Sequence, residues 1–522
     1  MRMFQIKKRG WKKVEFIFLS YKIKMNRFLI SLFFLSLIAH SIQQVNVTIP
    51  LPSEKNNTQR ELCSMVGNKT ICSNWAGTKK WTPREIIIPK NEYELANFLQ
   101  SNQQSFKIVG YGHSWAGLYI PVDKIGQSGV TVALHHLTGI TQLLSKNYCF
   151  TMDSFDSETI THVEVMTGTS FAALHQQLDE MDLGLSWQSG GIQGLTLGGA
   201  ISVGFHGSQM SSSSISSVVE SLTVYDTNGQ PHILDDNNHR KLMLAARLGL
   251  GVCGVMSRAI LPVEPRFHLR RRRWVEYDIS LFLSHHLSIL KSNYDRFHYY
   301  IHPHSNTVWP MYWENATERD CIQEAKPCRT AQDQWEDELE TDYGKDGLPL
   351  IMRWDNCCDV SYKAYTHAID MEVQPLWNGE WFVQLSDKEE TQTVLVILDI
   401  FNSIAINNNT DIDLWLHVRY MRGDDIYLHP CYGWEYCAGF ELALVAKGMN
   451  DSLPSSEDWY RYYHPFEKYL QSKGGRPHWA KDHTIDPEYI SRSGVAVSNF
   501  LEQCQVLNIR KKQGIHAELT MK

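Results

Sequence analysis

The sequence predicts an α+β protein of two parts, and three observations carry that prediction. Its 522 residues are 43% hydrophobic and 20% charged, an ordinary globular composition with length enough for two conventional domains. From Trp75 to about residue 265, short apolar strands alternate with amphipathic helices. Beyond Pro265 the texture turns to long aromatic-rich strands, which places the boundary near Glu264. The 33 glycines and 18 prolines are near average usage and no segment repeats at a fixed period, so collagen-like, solenoid and broadly disordered readings are excluded.

Taken in order, residues 1–41 come first, with nine Lys/Arg against one acid; the remainder carries a net charge of about −15, against −7 for the whole chain. So acidic a chain lacks the clustered cations that phosphate contacts need, and no nucleic-acid partner is expected. The one basic run, Arg270 to Arg273, reads as a solvated strand. Residues 28–39 are about a dozen apolar positions followed by polar ones, the length of a signal-peptide core and short of a bilayer span of roughly 20. Secretion, or residence in the secretory lumen, is expected, with Met25 an alternative start; an uncleaved membrane anchor is the other reading. Residues 42–74 then form a glycosylated extension. Sequons at Asn46, Asn56, Asn68, Asn315, Asn408 and Asn450 agree with export. Eleven cysteines, with close pairs Cys63/Cys72, Cys321/Cys328 and Cys431/Cys437, fit local disulfide loops and leave at least one thiol over.

In the first part, residues 86–88 read as a strand and Asn91 caps a helix, with Glu94 as its capping-box partner and Leu95, Phe98 and Leu99 on the buried face. Strands follow at 106–109, 130–134 and 162–166, and Ser170 opens a helix that stops before Gly184. Residues 218–225 and 232–234 flank Asn228-Gly229 as a hairpin, and 239–248 is helical. In the second part, strands are expected at 274–277, 297–301, 381–383, 413–420 and 440–446, with a polar, cysteine-containing insertion at 315–346.

Two glycine-rich segments stand out. Gly110-Tyr-Gly112-His113-Ser114 follows a strand, but Trp115 occupies the place of the third glycine of a Rossmann fingerprint, which disfavours a dinucleotide loop of that type. Alone, it reads more readily as a tight turn with an incidental histidine than as an anion-cradling loop. The second segment, residues 189–208, packs seven glycines into 20 residues without low complexity, as chain lying flat against a large cofactor would require.

With these motifs on view, the chain resembles the flavoproteins of the vanillyl-alcohol oxidase type and, among them, the sugar-1,4-lactone oxidases. The resemblance runs from about residue 75 to 485. It rests on Val109 to Ser114, Thr196 to Ala200 with Gly204 to Gly207, Leu250 to Val255, Val418 to Asp425 and Gly474 to Lys481. It implies a two-domain flavoprotein: an FAD-binding domain over 75–265, a substrate or cap domain over 266–490, and a divergent tail over 491–522. His113 matches the histidine that often carries the flavin covalently. Gly110, Gly112, Ser114, Gly198, Gly199, Gly204, His206, Gly207, Gly254 and Val255 match the cofactor-binding segments. Arg419 and Lys481 match the active-site cations. The substrate implied is a sugar lactone or polyol, oxidised by hydride transfer to flavin N5 with molecular oxygen as acceptor and hydrogen peroxide as product. The alternatives are a carbohydrate or alditol oxidase of the same fold, and a binding protein that has lost turnover.

The sequence departs from the family twice. The family usually has Glu two residues before the arginine, where this chain has His417; strand alternation puts 417 and 419 on one face, so the change lies in the site. Arg419 is thereby expected to lose its ion-pair partner, and a neutral His417, with a reference pKa of about 6.5, to accept a proton in the carboxylate's place. Second, residues 507–514 replace the usual C-terminal return to the flavin. No metal site is expected: His298, His302 and His304 are spaced like ligands, but their aromatic strand indicates packing.

Overall fold

The computed structural model describes residues 62–507, apart from 67–68, 122–127, 146–148, 151–159, 188–191, 274, 304, 325–326, 329–356, 366–375, 408–411, 447–452 and 486. All the described residues belong to the unit Thr58–Lys522. The leader and the sequons at Asn46, Asn56, Asn68, Asn408 and Asn450 lie outside the described residues. Among the described residues no helix is long and apolar enough to cross a membrane.

The chain enters through a small antiparallel sheet of β1 (Cys63–Val66), β2 (Lys69–Ser73) and β3 (Lys80–Trp81). A parallel sheet follows, ordered β4-β6-β5, from β4 (Glu85–Ile87), β5 (Phe106–Val109) and β6 (Val130–Ala133), with helix α1 (Glu92–Ser101) as the crossover. Asn91 caps α1 by accepting the Glu94 N–H at 2.9 Å, but the Glu94 carboxylate reaches past the cap residue to the Lys90 N–H. Leu95 and Leu99 are buried between α1 and the sheet.

An antiparallel sheet comes next, built from β7 (Ile140–Leu144), β8 (Cys149–Phe150) and β9 (His162–Met166), and from β11 (Ser221–Tyr225), β12 (Pro231–Asp235) and β13 (Val255–Pro262) in the order β12-β11-β13-β9-β7-β8. Between β9 and β11 lie α2 (Phe171–Glu180), capped by Ser170, β10 (Leu183–Gly184), and α3 (Leu197–Val203), whose apolar face packs in this sheet's core. The expected hairpin forms, but its loop is five residues long: the Asp226 carboxylate accepts from the Asn228 and Gln230 N–H groups, and Gly229 takes φ +73°. Residues 215–218, the last of them placed in the strand by the sequence, are helical instead. Helix α4 (Arg240–Ala246) follows β12, and β14 (Glu264–Pro265) closes the first part by pairing with β10.

From His268 the chain builds one eight-stranded antiparallel sheet: β15 (His268–Arg273), β16 (Arg296–His302), β17 (Thr307–Ala316), β18 (Cys357–Val360), β19 (Leu376–Val383), β20 (Ile412–Arg422), β21 (Tyr436–Ala446) and β22 (Arg476–Pro477), ordered β18-β15-β17-β16-β20-β21-β19-β22. Strand alternation gives it two unlike faces. Tyr299, Leu416, Val418, Phe440, Leu442 and Trp381 face helices α5 (Asp387–Asn407) and α6 (Ser456–Ser472) in the largest apolar core. The opposite face carries Tyr300, His417, Arg419, Glu441 and Glu380.

Three expectations are corrected here. The basic run lies on β15, but Arg271 is buried, because alternation turns it to the same side as Leu269. Residues 275–277 make only an isolated bridge, Glu276 to Val308, where a strand was expected. Cys321 pairs with Cys358 and Cys328 with Cys357, not with each other; adjacent cysteines on β18 point to opposite sides, so each finds its own partner. The pairs Cys63–Cys72 and Cys431–Cys437 form as expected, and Cys253–Cys504 ties α7 (Val497–Val506) back to the first part.

Candidate active site

Four strands bring the site together by register alone. Tyr300 on β16 stands opposite His417 on β20, His417 opposite Glu441 on β21, and Glu441 opposite Glu380 on β19. Arg419, two residues along, faces Gly439. A Cβ at 439 would sit 2.8 Å from Glu380 Oε1 and 2.7 Å from the Phe382 ring, so only glycine leaves the carboxylate room. Lys481 enters from the turn after β22, its ammonium 5.4 Å from the centre of the Trp115 ring.

The charges then pair. Arg419 Nη2 donates to both Glu380 oxygens at 2.7 and 2.6 Å and lies 2.9 Å from Glu441 Oε2. Lys481 Nζ donates to Glu441 Oε1 and lies 3.7 Å from Glu380. Asn378 Nδ2 donates to Glu441 Oε1 at 2.7 Å. Burial alone would raise both carboxyls, but the facing Arg419 and Lys481 hold Glu380 and Glu441 well below the usual carboxylate range. Burial likewise disfavours the charged Arg419, and the two carboxylates more than offset it. The expectation that Arg419 lacks an anion is therefore corrected: its partners come from β19 and β21 rather than from its own strand. Sequence reasoning missed both, because neither Glu380 nor Glu441 lies in a recognisable motif; alternation around Trp381 and Phe440 was the available signal.

His417 has both ring nitrogens engaged, Nδ1 with Glu441 Oε2 and Nε2 with His298 Nδ1, each at 2.9 Å. Burial lowers its pKa to about 4, although Glu441 pulls the other way. Accepting a substrate proton would cost it one of those bonds. His206 and His478 complete the wall, with ring centres 5.4 Å apart. Their nitrogens and Glu380 are close enough for a metal ion. Two contacts oppose that use: Glu380 is bound to Arg419, and His478 Nδ1 accepts the Ala480 N–H at 3.1 Å, which puts the ring proton on the other nitrogen.

The glycine loops border this cluster from the first part. The Ser114 hydroxyl and the Trp115 N–H both donate to the Ala480 carbonyl, at 3.0 and 2.7 Å, so the loop carrying His113 is stitched to the segment carrying Lys481. His113 stacks on Trp75 at 5.4 Å, and burial lowers its pKa to about 4, leaving a neutral imidazole. Arg419 Nη1 reaches the His206 carbonyl at 3.4 Å, and the Gln209 N–H donates to the Tyr420 carbonyl at 2.9 Å, laying the 204–209 segment beside β20.

These loops fit an acceptor-rich cofactor. Among the described residues, the main-chain N–H groups of Gly112, His113 and Ser114 have no acceptor, nor do those of His206, Gly207 and Ser208. Main-chain donors are rarely left without an acceptor, and two such runs beside one cluster suit a ligand rich in oxygen and nitrogen acceptors. Other glycines serve packing. Gly110 and Gly198 lie where a Cβ would come within 2.2 Å of Thr196 Oγ1 and 2.9 Å of Thr167 Cβ, and the Gly198 N–H already bonds Thr167. The Gly199 N–H is capped by Thr196, Gly204 ends α3 at φ +72°, and Gly254, at φ +90°, lies against Val224. Val255 opens β13 opposite Tyr225, with its side chain in the α1 core.

Known proteins resemble the chain in both parts. The FAD binding domain family matches residues 83–235 and the D-arabinono-1,4-lactone oxidase family residues 347–508. L-gulonolactone oxidase of Bos taurus is 26% identical over 442 residues, covering 78% of this chain and 88% of that protein. L-gulono-1,4-lactone dehydrogenase of Mycobacterium tuberculosis is 24% identical over 446 residues, covering 79% and 90%. D-arabinono-1,4-lactone oxidase of Eremothecium gossypii is 27% identical over 209 residues, covering 40% of this chain and 36% of that protein. In fold the chain is similar to cholesterol oxidase from B. sterolicum, with a TM-score of 0.65 at 14% identity over 89% of this chain and all of that one.

Proposed function

We propose that this chain, which resembles the FAD-linked sugar-1,4-lactone oxidases in both of its parts, oxidises L-gulono-1,4-lactone or a related aldonolactone at a ring hydroxyl. The observation that carries this reading is the buried cluster of Arg419, Lys481, Glu441 and Glu380, bordered by two loops whose main-chain N–H groups have no acceptor among the described residues. FAD, when bound, supplies the hydride acceptor. The chain's own part is positioning and charge. Arg419 and Lys481 stabilise the developing alkoxide, the two carboxylates keep the cluster close to neutral, and the Trp115 side of the pocket excludes water from Lys481. His113 offers its neutral imidazole for a covalent bond to the flavin. Residues 75–265 hold the cofactor and 266–490 the lactone. Oxygen is the acceptor, although the names of the relatives include both an oxidase and a dehydrogenase. Ten cysteines paired in five disulfides suit a secretory compartment, and the protein is read as secreted.

The test uses the secreted, FAD-loaded protein with L-gulono-1,4-lactone and D-arabinono-1,4-lactone, following oxygen uptake and peroxide together. Turnover with one peroxide per oxygen is expected. Turnover only with an added dye would keep the lactone chemistry and overturn the oxygen assignment, and no turnover with either would overturn the reading. After acid precipitation the wild-type pellet is expected to stay yellow and that of His113→Ala to be colourless.

A further inference from the structure

We propose that Glu441, held by His417 and His298, is the carboxylate that orients the substrate between Arg419 and Lys481. The proposal rests on the oxidoreductase reading of the site.

The two carboxylates of the cluster are not equivalent. Glu380 gives both oxygens to Arg419, has no residual exposure, and lies 3.7 Å from Lys481. Glu441 meets Lys481 and Asn378 at Oε1 and Arg419 and His417 at Oε2, whereas Glu380 has, besides the two cations, His206 Nε2 at 3.4 Å. It alone bonds both cations closely, and it keeps 6% of its surface. A hydroxyl placed between the two cations therefore meets Glu441 first, whereas Glu380 is committed to neutralising Arg419.

His417 and His298 are positioning residues. An ionised Glu441 can only accept, so the His417 proton sits on Nδ1; the neutral ring then accepts at Nε2, and His298 Nδ1 must donate to it. Each proton in this line points toward Glu441. Tyr300, stacked on His417 with ring centres 3.9 Å apart and planes 17° apart, fixes the ring's orientation. Because His417 and Glu441 stand directly opposite one another on neighbouring strands, the pair can be inverted without moving backbone. A carboxylate at 417 with a histidine at 441 reaches the same space from the other strand.

That inversion is the experiment. His417→Glu, Glu441→His and the double swap are prepared as FAD-loaded protein and assayed with L-gulono-1,4-lactone. His417→Glu sets two carboxylates face to face, and Glu441→His leaves two cations sharing Glu380, so kcat/KM is expected to fall at least 100-fold in each. The double swap is expected to recover at least tenfold over the better single variant. A double swap no better than the singles, with flavin content and melting temperature unchanged, would overturn the proposal. Glu441→Gln, nearly isosteric, guards against misfolding: a loss under threefold overturns the orienting role. If the wild type does not turn the lactone over, the functional reading fails by itself. The shift of the flavin absorbance on lactone binding, measured in the same proteins, then decides the orienting role: a shift lost in both singles and restored in the swap supports it, and any other pattern, including no wild-type binding, overturns it.

Discussion

A guanidinium buried as deeply as that of Arg419 loses several kcal/mol of hydration unless anions meet it. Glu380 and Glu441 meet it here, so Arg419→Ala is expected to remove turnover and also to strand a buried carboxylate, destabilising the fold by about 3–5 kcal/mol. Chemical denaturation beside a lactone assay checks both. His417 makes a second prediction. It is faced by Glu441, Arg419, Glu380, His298 and Tyr300, and its pKa is lowered to about 4. Below about pH 6.5 the unfolded ring takes up a proton that the folded ring refuses until about pH 4. Its stabilising contribution, on the order of 3 kcal/mol, is therefore present above pH 6.5 and lost as pH falls to about 4. Replacing His417 with Gln, followed by melting temperature against pH, should flatten that part of the slope. Loss of activity through protonation of His417 is accordingly expected near pH 4 rather than at the ring's reference value of about 6.5. At this scale the two cations were legible, because Arg419 and Lys481 sit inside motifs. Their carboxylates were not, because isolated glutamates on apolar strands acquire meaning only through register.

Among the elements, the row across β16, β20, β21 and β19 fixes the site, and Gly439 is the position where packing controls it. Gly439→Ala would press on Phe382 and Glu380, with an expected cost of about 1–3 kcal/mol and a weaker hold on Arg419. Thermal melting and kcat together would show it. The elements legible in the sequence were those with local signals. Asn91 and Ser170 cap their helices as read, and the strand at 162–166 lies where alternation put it. The weaker readings had tertiary causes. Arg271 shares the buried side of β15 with Leu269, and that side is buried because β15 lies inside the sheet between β17 and β18, a placement no local rule reveals; residues 215–218 coil as a helical turn against α3 before β11 begins.

For the molecule as a whole, the tail bears on cofactor retention. Cys504 on α7 bonds Cys253, next to Gly254, and a Cβ at 254 would lie 3.2 Å from the Leu507 side chain. The described part of the tail, residues 491–507, thus returns to the first part through a disulfide closing a span of 251 residues, and the divergent segment at 508–514 lies outside the described residues. Replacing Cys253 and Cys504 together by Ser is expected to destabilise the protein by about 2–4 kcal/mol and to speed loss of flavin from His113→Ala protein, measured by melting and flavin release. The two-part α+β plan was legible from texture alone, whereas this long-range pairing was not, since cysteine spacing reveals only near partners. The proposed chemistry is oxidation of a sugar lactone by FAD at the cluster where the two parts meet. Its most direct measurement is the visible spectrum of the FAD-loaded protein mixed with L-gulono-1,4-lactone without oxygen. The visible band of the oxidised flavin is expected to bleach in the wild type and to persist in Arg419→Ala. A wild-type band that persists with every sugar-1,4-lactone offered would contradict it.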